Sequence, residues 1–567
     1  MRSGFARAAL FLALLLGAGA AAWARVAPAE AQETFPAQFR DPAIFARAIS
    51  DADKLAPAPR PLSGIAVPHH LLAVDLIATA FRMVDGRRID KVVVLFPDHF
   101  RRSARPFATT RRAFETVFGR LVVSRPDVDR LLQARDLVEE SDLFGTDHGI
   151  GAVLPFIKHY MPSARIVPLA VRGSRREDWD RLAERLKPML GPTTLVVQST
   201  DFSHYLPAAE AAQRDQETLN VLAAGRPEAV VSLRQPQHTD SRGAQYLQLR
   251  IQQEVFHARP TVMFNANSHA YAPGEAARTT SYVVQLYEPQ PSPQVGSDAP
   301  GSKVYCFAGD TFFGRGVLRL LTDPAAAERM RRELQHVLNG CRLVVNLTGV
   351  MVPELPIGLD DMSLAMPSAP TLDWLRALNV TAVSLANNHT MDLGAGAFDA
   401  MTQILSGAGI TVLKHGTIAD LGSFRLAALT DLDNRSGRST GLISDDDIVR
   451  VAKSAARPPL FAMVNWGQDY VASPGRRQRA LTEALRQAAV SLVVGVHPHL
   501  AAADFDLLAG GQGLSIYSLG NFVFDQSAPR ASGSVLEVRV FEQGTFFARL
   551  VPIPNFFDSA AKGPMPN

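Results

Sequence analysis

The stretch Leu492-Val493-Val494-Gly495-Val496-His497-Pro498-His499 places two histidines directly after an apolar, β-branched run. The run is short, which is typical of a buried strand, and we predict a strand at 491–494. In open α/β sheets the loops after the carboxyl ends of the strands converge on one crevice, where ligands bind. The sequence therefore predicts an α/β sheet with both imidazoles at its ligand-binding edge.

Other apolar runs in residues 303–567 lead into polar side chains in the same way. Further strands are predicted at 343–347, 382–385, 461–464 and 515–517, and a helix at 477–489. The side chains at the ends of these runs are Asp310, Asn346, Asn387, Asn388, His389, Asn465 and Asn521. Carboxylate, amide and imidazole groups that arrive from separate strands are a common way to assemble a metal site.

Residues 61–287 show a parallel pattern, with predicted strands at 91–95, 165–169 and 194–198 and helical spacing from Trp179 to Met189. His69, His99 and His204 follow three separate apolar runs, and His148 precedes a fourth. Each histidine alone is explained as a turn or capping residue. Three of them at separate strand ends are equally consistent with a metal or catalytic cleft.

Alternating strands and helices in both blocks predict an α/β protein of two tandem domains with largely parallel sheets. The boundaries follow from composition. Residues 288–302 are rich in Pro, Gly and Ser and indicate a linker between domains at 61–287 and 303–567. Residues 32–60 show no clear period and are interpreted as a lead-in segment.

The N-terminal 31 residues have the pattern of a secretory signal peptide. Arg2 and Arg7 precede an apolar run at 8–22, and Ala29-Glu30-Ala31 forms a small-x-small cleavage pattern. The alternative is an uncleaved N-terminal membrane anchor. No later segment has the apolar length of a transmembrane span, so we expect an exported protein, periplasmic or extracellular.

The bulk composition excludes little but does argue against nucleic acid as a partner. The 58 basic residues are scattered among 55 acidic ones for a net charge of +3, and no long basic run occurs. Cys306 and Cys341 both sit in apolar, strand-like stretches. We expect them to be small buried hydrophobic residues in a fold that does not depend on disulfides.

The second block resembles the CapA family of capsule and poly-γ-glutamate synthesis over essentially its whole length. The resemblance is carried by Ala308-Gly309-Asp310-Thr311, Ser384-Leu385-Ala386-Asn387-Asn388-His389, Val494-Gly495-Val496-His497-Pro498-His499 and Tyr517-Ser518-Leu519-Gly520-Asn521-Phe522. That family is similar to calcineurin-like metallophosphoesterases, so the resemblance implies a four-layer α/β sandwich that holds one or two divalent ions (Mn, Zn or Fe).

The resemblance also implies roles for single residues. The implied metal ligands are Asp310, Asn388, His497 and His499. His389 is implied as the general acid to a leaving group, and Asn521 as a substrate-binding residue. Arg315, just beyond Asp310, could hold an anionic group, although an exposed arginine is more often simply solvated.

Two positions depart from the family pattern. Thr348 stands where an acidic residue is usual, and Asn465 stands where a histidine precedes Trp-Gly. Threonine is a poor ligand and an amide is weaker than imidazole, so the site is left with one ion or none. Such a site could bind a substrate without turning it over.

The first block resembles the MEMO family, known in prokaryotes as AmmeMemoRadiSam system protein B, whose fold is similar to class III extradiol dioxygenases. The resemblance implies metal ligation by His69 and His99, with His148 and the catalytic candidate His204 lining the cleft. The family's third ligand, a cysteine, aligns with Asp240 in Asp240-Ser241-Arg242-Gly243-Ala244. Two imidazoles and a carboxylate suit non-haem Fe(II).

Three functions from different classes remain open. The first is a metal-dependent hydrolase of the phosphoesterase type, or one acting on an anionic polymer, in capsule or poly-γ-glutamate synthesis. The second is a non-catalytic envelope protein that holds a polymer or another envelope biosynthesis protein through degenerate metal sites. The third is an iron-dependent redox role for the first domain. Thr348 and Asn465 favour the second, and the only support for the third is His69, His99 and Asp240. The residues that favour the first are Asp310, Asn388, His389, His497 and His499.

Overall fold

A computed structural model describes residues 33–274, 276–289, 292–433, 441–454, 459–471 and 473–562. The predicted signal peptide lies outside these residues. The strands of the first half are β1 Thr34–Phe35, β2 Gly64–Val67, β3 Lys91–Pro97, β4 Phe107–Thr109, β5 Ala113–Phe114, β6 Val138–Glu140, β7 Arg165–Val171, β8 Thr194–Ser199, β9 His204–Leu206, β10 Arg259–Asn267 and β11 Thr279–Glu288.

The helices of the first half connect these strands. They are α1 Pro42–Ala52, α2 Val74–Val84, α3 Arg125–Leu132, α4 His148–Gly151, α5 Leu154–Tyr160, α6 Arg176–Leu186, α7 Ala208–Ala224, α8 Arg242–Val255 and α9 Ser268–Tyr271. Short 3₁₀ turns lie at Leu71–Ala73, Leu143–Gly145, Lys187–Met189 and Pro227–Ser232.

The first half is built on one nine-stranded sheet with the order β10-β11-β2-β8-β3-β7-β4-β6, and β9 pairs with β11. Its centre, β2-β8-β3-β7, is parallel, as the alternating pattern predicts. These strands are almost wholly apolar and buried because helices cover the sheet. The carboxyl ends of β2, β3 and β8 therefore lie side by side at one edge.

The strands of the second half are β12 Ser302–Thr311, β13 Arg342–Leu347, β14 Val350–Val352, β15 Ala365–Pro367, β16 Val380–Ser384, β17 Thr411–Leu413, β18 Thr417–Asp420, β19 Arg425–Thr430, β20 Leu460–Asn465, β21 Leu492–Val496, β22 Asp506–Leu508, β23 Gly513–Ile516, β24 Asn521–Val523, β25 Gly533–Phe541 and β26 Phe546–Ile553. The helices are α10 Arg315–Leu321, α11 Pro324–Leu338, α12 Ser368–Ala377, α13 Ala395–Gly407, α14 Asp445–Ser454, α15 Arg476–Gln487 and α16 Phe556–Lys562, with a 3₁₀ turn at Ala509–Gly511.

Two mixed sheets face each other in the second half. One has the order β17-β16-β13-β12-β25-β26, with β24 beside β12, and the other has the order β18-β19-β20-β21-β23-β22. Alternate residues of each strand enter different cores. Phe307 and Phe461 meet between the sheets, Cys306 joins the core under α11, and Val464 joins the core under α15. The order is helices, sheet, sheet, helices, so the α/β fold class predicted for the chain is confirmed.

The predicted strands and the predicted helix at 477–489 all overlap observed elements. The segment 32–60, interpreted as a lead-in, contains more structure than its sequence indicates. Strand β1 pairs with β5, and α1 buries Phe45 and Ile49 in the core of the first half. The helix begins at Pro42, behind the N-cap Asp41, whose side chain accepts a hydrogen bond from the Ala43 amide.

The expectation that the cysteines form no structural disulfide is wrong. Cys306 in β12 and Cys341, immediately before β13, form a disulfide with their Cα atoms 6.1 Å apart. Both side chains are buried, as expected, but the sequence alone did not reveal that β12 and β13 are neighbours. The bond is compatible with an oxidising compartment.

Among the described residues, every helix is too short or too polar to cross a bilayer. The two halves meet along α7, which packs against β26 and the turn at Ala509–Gly511. Phe541 and Phe547, on the strands β25 and β26, are buried in the apolar core of the first half. Polar contacts accompany them, including Asn220 Nδ2 donating to the Gly511 carbonyl at 2.8 Å.

Candidate functional sites

Three histidines meet at the edge of the nine-stranded sheet, where the sequence predicts a cleft. His69 follows β2, His99 follows β3 and His148 begins α4. Their nearest ring nitrogens all lie within 4.8 Å of one another, close enough to hold a metal ion. The rings of His99 and His148 stack with centroids 4.0 Å apart. His148, expected only to line the cleft, is therefore a member of the group.

Asp240, which lies just before α8, completes this histidine cluster. Its Oδ2 lies 3.2 Å from His69 Nε2 and 3.7 Å from His99 Nε2, and these two nitrogens are 3.2 Å apart. Ligands about 2.1 Å from one small metal ion have this spacing. Asp240 Oδ1 is buried and has no hydrogen-bond partner among the described residues. The donor set and this unpartnered oxygen fit a transition-metal ion.

Neighbouring carboxylates orient the cluster. His99 Nδ1 lies 2.7 Å from Asp147 Oδ1, and the His69 backbone amide donates to Asp201 Oδ1 at 3.0 Å. The Asp201 amide in turn donates to Asp240 Oδ2 at 3.0 Å. With Nδ1 held by Asp147, His99 presents Nε2 to the centre, as a supported metal ligand does.

The charges of the cluster shift its pKa values in opposite directions. Burial alone would lower the pKa of His99, but hydrogen bonds to Asp147 and Asp240 raise it to about 10. Burial is likewise outweighed for His69, whose pKa is raised by the charges of Asp201 and Asp240. Burial and the two nearby imidazoles lower the pKa of His148 to about 4. A cation in this centre would balance the charge of the carboxylates in place of protons on the imidazoles.

His204 takes a position outside this cluster. It begins β9, and its Nδ1 contacts the carbonyl oxygen of Phe202. Burial alone would raise the pKa of Asp240. His69 has the largest opposing effect, and the charge of His204 also helps to hold this pKa below its usual range. The structure thus groups His69, His99 and Asp240 as the resemblance implies and leaves His204 at the periphery.

The second half contains a cavity of about 650 Å³ at the carboxyl ends of strands from both sheets. The predicted residues that line it are Asp310, Arg315, Thr348, Asn388, His389, His497 and His499. Side chains separated by almost two hundred positions therefore reach one pocket. Close approach of β12 to β24 permits this, because a Cβ on Gly309 would lie 1.8 Å from the Gly520 carbonyl oxygen.

Asp310 is the buried carboxylate of this cavity. Asn346 Nδ2 donates to Asp310 Oδ1 at 2.7 Å, and Thr348 Oγ1 donates to the same oxygen at 3.3 Å. Asp310 Oδ2 lies 3.2 Å from His499 Nδ1, but that nitrogen is directed to Asn521 Oδ1 at 2.7 Å. Asp310 Oδ2 consequently has no hydrogen-bond partner among the described residues. Burial would raise the pKa of Asp310, but the His499 imidazole holds it below its usual value.

The loop that carries the two histidines adopts an unusual backbone. His497 and His499 have φ values of 100° and 60°, in the left-handed region that non-glycine residues seldom occupy. Hydrogen bonds hold the loop there, with the Tyr470 amide donating to the Pro498 carbonyl and the Ser532 amide to the His499 carbonyl. Such strain persists where the surroundings enforce it, often at functional sites.

Two histidines of the cavity are each paired with an aspartate that the sequence interpretation missed. His389 Nδ1 lies 2.8 Å from Asp392 Oδ2, which also accepts a hydrogen bond from the Leu364 amide. His497 Nε2 lies 2.9 Å from Asp469 Oδ1. For the first pair, the spacing of three residues between His389 and Asp392 was the signal by which the sequence could have indicated the contact. The pairing leaves Nε2 of His389 as its nitrogen for proton transfer.

The two positions that depart from the family pattern are tied into hydrogen bonds. Thr348 contacts Asp310, and Asn465 Nδ2 donates to Asn388 Oδ1 at 3.3 Å and to Thr430 Oγ1 at 3.2 Å. Asn388 Oδ1, an implied metal ligand, is therefore engaged by a neighbouring amide. Asp310, beside His499, keeps a carboxylate oxygen without a hydrogen-bond partner among the described residues. This arrangement fits one metal ion rather than two.

The predicted substrate-binding residues are also engaged. Asn521 is buried against His499 and donates through Nδ2 to Gln526 Oε1 at 3.0 Å. Arg315 lines the cavity but forms a two-pronged ion pair with Asp525, with Nη2 2.6 Å from Oδ1. Asn521 thus orients His499, and the charge of Arg315 is largely compensated.

Acidic side chains dominate the walls of the cavity. The aspartates that line it are Asp310, Asp360, Asp392, Asp433 and Asp469, against the single arginine Arg315. An anionic substrate would meet net negative charge here unless a cation or protonated imidazoles were present. The electrostatics of the cavity therefore favour a bound cation.

Comparison with known families agrees with this division of the chain. The family described as Memo-like protein matches residues 48–269. The family described as bacterial capsule synthesis protein PGA_cap matches residues 304–435 and 427–526. The histidine cluster lies in the first match, and all the residues that line the cavity of the second half lie in the second.

Individual relatives match one half each. Capsule biosynthesis protein CapA of Bacillus anthracis is 30% identical over 207 residues, which are 32% of this chain and 50% of that protein. PGA biosynthesis protein CapA of Bacillus subtilis is 30% identical over 276 residues, 44% of this chain and 70% of that protein. A MEMO1 family protein of Caldivirga maquilingensis is 25% identical over 163 residues, 27% of this chain and 57% of that protein. The chain thus spans about half the length of the first of these relatives.

Proposed function

We propose, on the premise that this chain belongs to the CapA family of capsule biosynthesis proteins and carries a Memo-like domain ahead of it, that it is an exported, metal-dependent hydrolase of capsule or poly-γ-glutamate synthesis. Its substrate is a phosphoester or an anionic polymer. The observation that carries the proposal is the convergence of Asp310, His389, His497 and His499 on one cavity.

The residues of the cavity have distinct chemical tasks. Asp310 and His499 would hold a divalent ion (Mn, Zn or Fe), which supplies a Lewis acid for the substrate oxygen and lowers the pKa of water. His389 gives a proton to the departing oxygen through Nε2. Asp392, whose Oδ2 lies 2.8 Å from Nδ1, fixes the orientation of the ring.

Hydrolytic chemistry is preferred to a purely polymer-holding role because of this His389–Asp392 pair. A scaffold has no need for an imidazole fixed by a buried carboxylate at the wall of a cavity. The acidic walls also make the cavity a poor surface for holding an anionic chain by charge alone. Thr348 and Asn465 limit the number of ions, not the proton transfer.

The test is hydrolysis of diphenyl phosphate, whose phenolate leaving group benefits from protonation, by the full chain supplied with Mn²⁺, Zn²⁺ or Fe²⁺. We expect His389→Ala to lower kcat by about 100-fold or more, since it removes a general acid, and Asp392→Asn to lower it about tenfold. His336→Ala, an exposed histidine on α11, is the matched control and should leave kcat unchanged. Full activity in His389→Ala would reject His389 as the general acid, and no hydrolysis with any of the metals would support the non-catalytic alternative.

The proposal also includes an iron-dependent redox role for the first domain. This role is supported by the histidine cluster. His69, His99 and Asp240 would hold Fe(II), with His148 beside them. Bound iron supplies redox chemistry, and the open side of two imidazoles and one carboxylate leaves positions for a ligand. Asp240 in place of a thiolate suits an oxidising compartment, because a carboxylate does not oxidise.

A further inference from the structure

A groove of about 880 Å³ on the first domain is lined by an unusual number of arginines. These are Arg101, Arg105, Arg172, Arg175, Arg234 and Arg242. They come from the loop after β3, the loop after β7 and the segment that leads into α8. The net charge of the whole chain is only +3, so this arginine groove is a local concentration of positive charge.

Acidic side chains compensate little of the charge of the groove. Among the described residues, no ion pair includes any of the six arginines. Arg172 donates to the Ser103 carbonyl at 2.6 Å, and Arg242 donates to the carbonyls of Val231 and Leu233. These bonds fix two of the guanidinium groups without neutralising them. Elsewhere on the same domain arginines are commonly paired, as Arg250 is with Asp180 and Glu184.

One carboxylate lines the groove, and it is already engaged. Asp178 Oδ2 accepts a hydrogen bond from the Arg175 backbone amide at the start of α6. A helix N-terminus stabilises a carboxylate in this position. The groove therefore presents several guanidinium groups to solvent, and guanidinium binds carboxylates through two parallel hydrogen bonds.

The lining also indicates which kind of polyanion fits. It contains no aromatic side chain, and proteins that bind single-stranded nucleic acid without sequence preference rely on aromatic rings for base stacking. The cavity of the second domain is lined by five aspartates and one arginine, so an anionic chain gains little there. The arginine groove has the opposite sign and attracts it.

The groove shares its loops with the histidine cluster. The loop after β3 carries both His99 and Arg101. Asp98 stabilises this loop by accepting hydrogen bonds from the backbone amides of Arg102 and Ser103. The segment before α8 carries both Arg234 and Asp240. A chain bound in the groove would contact the same loops that hold two members of the cluster.

We propose that the arginine groove binds a polycarboxylate chain, with successive carboxylates paired to its guanidinium groups. The groove recognises acidic polymer, and the choice of carboxylate over phosphate rests on the proposed function. The first domain is then the polymer-binding part of the protein, separate from the hydrolytic cavity of the second.

The experiment measures binding of a fluorescently labelled poly-L-glutamate to the full chain by anisotropy. His389→Ala is present in every sample, so that hydrolysis does not affect the reading. We expect R175E/R234E to weaken binding at least about tenfold at low salt, because two attractive charges become repulsive. R130E/R185E reverses two exposed arginines of the same domain outside the groove and should change binding less than about twofold.

A second variant separates charge from geometry and guards against misfolding. R175K/R234K keeps both charges but removes the planar fork, and we expect a loss of about threefold. Equal weakening by R175E/R234E and R130E/R185E would overturn the proposal, as would unchanged binding in R175E/R234E. Tighter binding of polyphosphate or a single-stranded oligonucleotide than of poly-L-glutamate would also overturn it. None of these outcomes bears on hydrolysis, which has its own test.

Discussion

The histidine cluster of the first domain and the cavity of the second lie at equivalent places, beyond the carboxyl ends of parallel strands, but they differ in construction. In the cluster, the donor atoms of His69, His99 and Asp240 are 3.2 to 3.7 Å apart, and all of them belong to imidazoles or a carboxylate. In the cavity, His497 is paired with Asp469, and amides occupy several donor positions.

The difference teaches that strand ends supply a location, whereas the spacing and type of the donors decide the chemistry. Charged donors in mutual contact are unfavourable without a cation or protons between them, so the cluster is suited to hold an ion tightly. An amide already satisfied by another amide gains less from a metal. The cavity is instead roomy, and Asp392 fixes the ring of His389 at its wall.

The largest expected effect is on the stability of the second domain, which contains both cysteines and their disulfide. C306A/C341A removes a disulfide that spans 35 residues and should lower the free energy of unfolding by about 3 to 4 kcal/mol. Urea denaturation followed by tryptophan fluorescence measures it. The metal content of the cluster should stay unchanged at low denaturant, and a parallel loss of that metal would break the distinction between the two sites.

The next effect is on metal retention by the cluster. Asp240→Ala should weaken the metal affinity of the full chain about 100-fold, since it removes a ligand and the charge that balances two imidazoles. Metal analysis after dialysis against a weak chelator gives the result. Asp310→Ala, a buried aspartate of the other site, is the control and should leave this ion in place. If Asp240→Ala retains its metal, the cluster is not the tighter of the two sites.

The smallest effect is a gain in the cavity. T348D/N465H replaces the hydroxyl beside Asp310 and the amide beside Asn388 with better ligands. We expect metal affinity of the second domain to rise about tenfold, because a carboxylate and an imidazole bind transition metals better than a hydroxyl and an amide. Calorimetric titration with Mn²⁺ in an Asp240→Ala background isolates the cavity. No change would mean that the geometry, not the donor type, limits this site.

The sequence predicted the strands and the residues at their ends because both are local. A buried strand is a short apolar run, and the side chain after it is read directly, as for His69, His99 and His497. Convergence of these residues followed from the rule that parallel strands end at one edge. The family resemblance added Asp240, which no local pattern distinguishes.

The features that sequence reasoning missed are non-local. The disulfide depends on β12 and β13 being neighbours, which two apolar runs cannot reveal. Asp469 and Asp147 matter through the imidazoles they contact, and only tertiary structure makes those contacts. The helix α1 has a modest apolar stripe that gains its stability from packing on the first domain, so its segment reads as featureless.

The burial of Phe541 and Phe547 in the core of the first domain has a consequence for the gene as well as for the molecule. A break in the linker would leave aromatic residues of one product and their apolar partners in the other exposed to water. Such halves would be prone to aggregate, so this contact ties the stability of each domain to the presence of the other. Because both sites lie on one chain, they are present in equal numbers. We expect selection to act against recombination that separates the two halves.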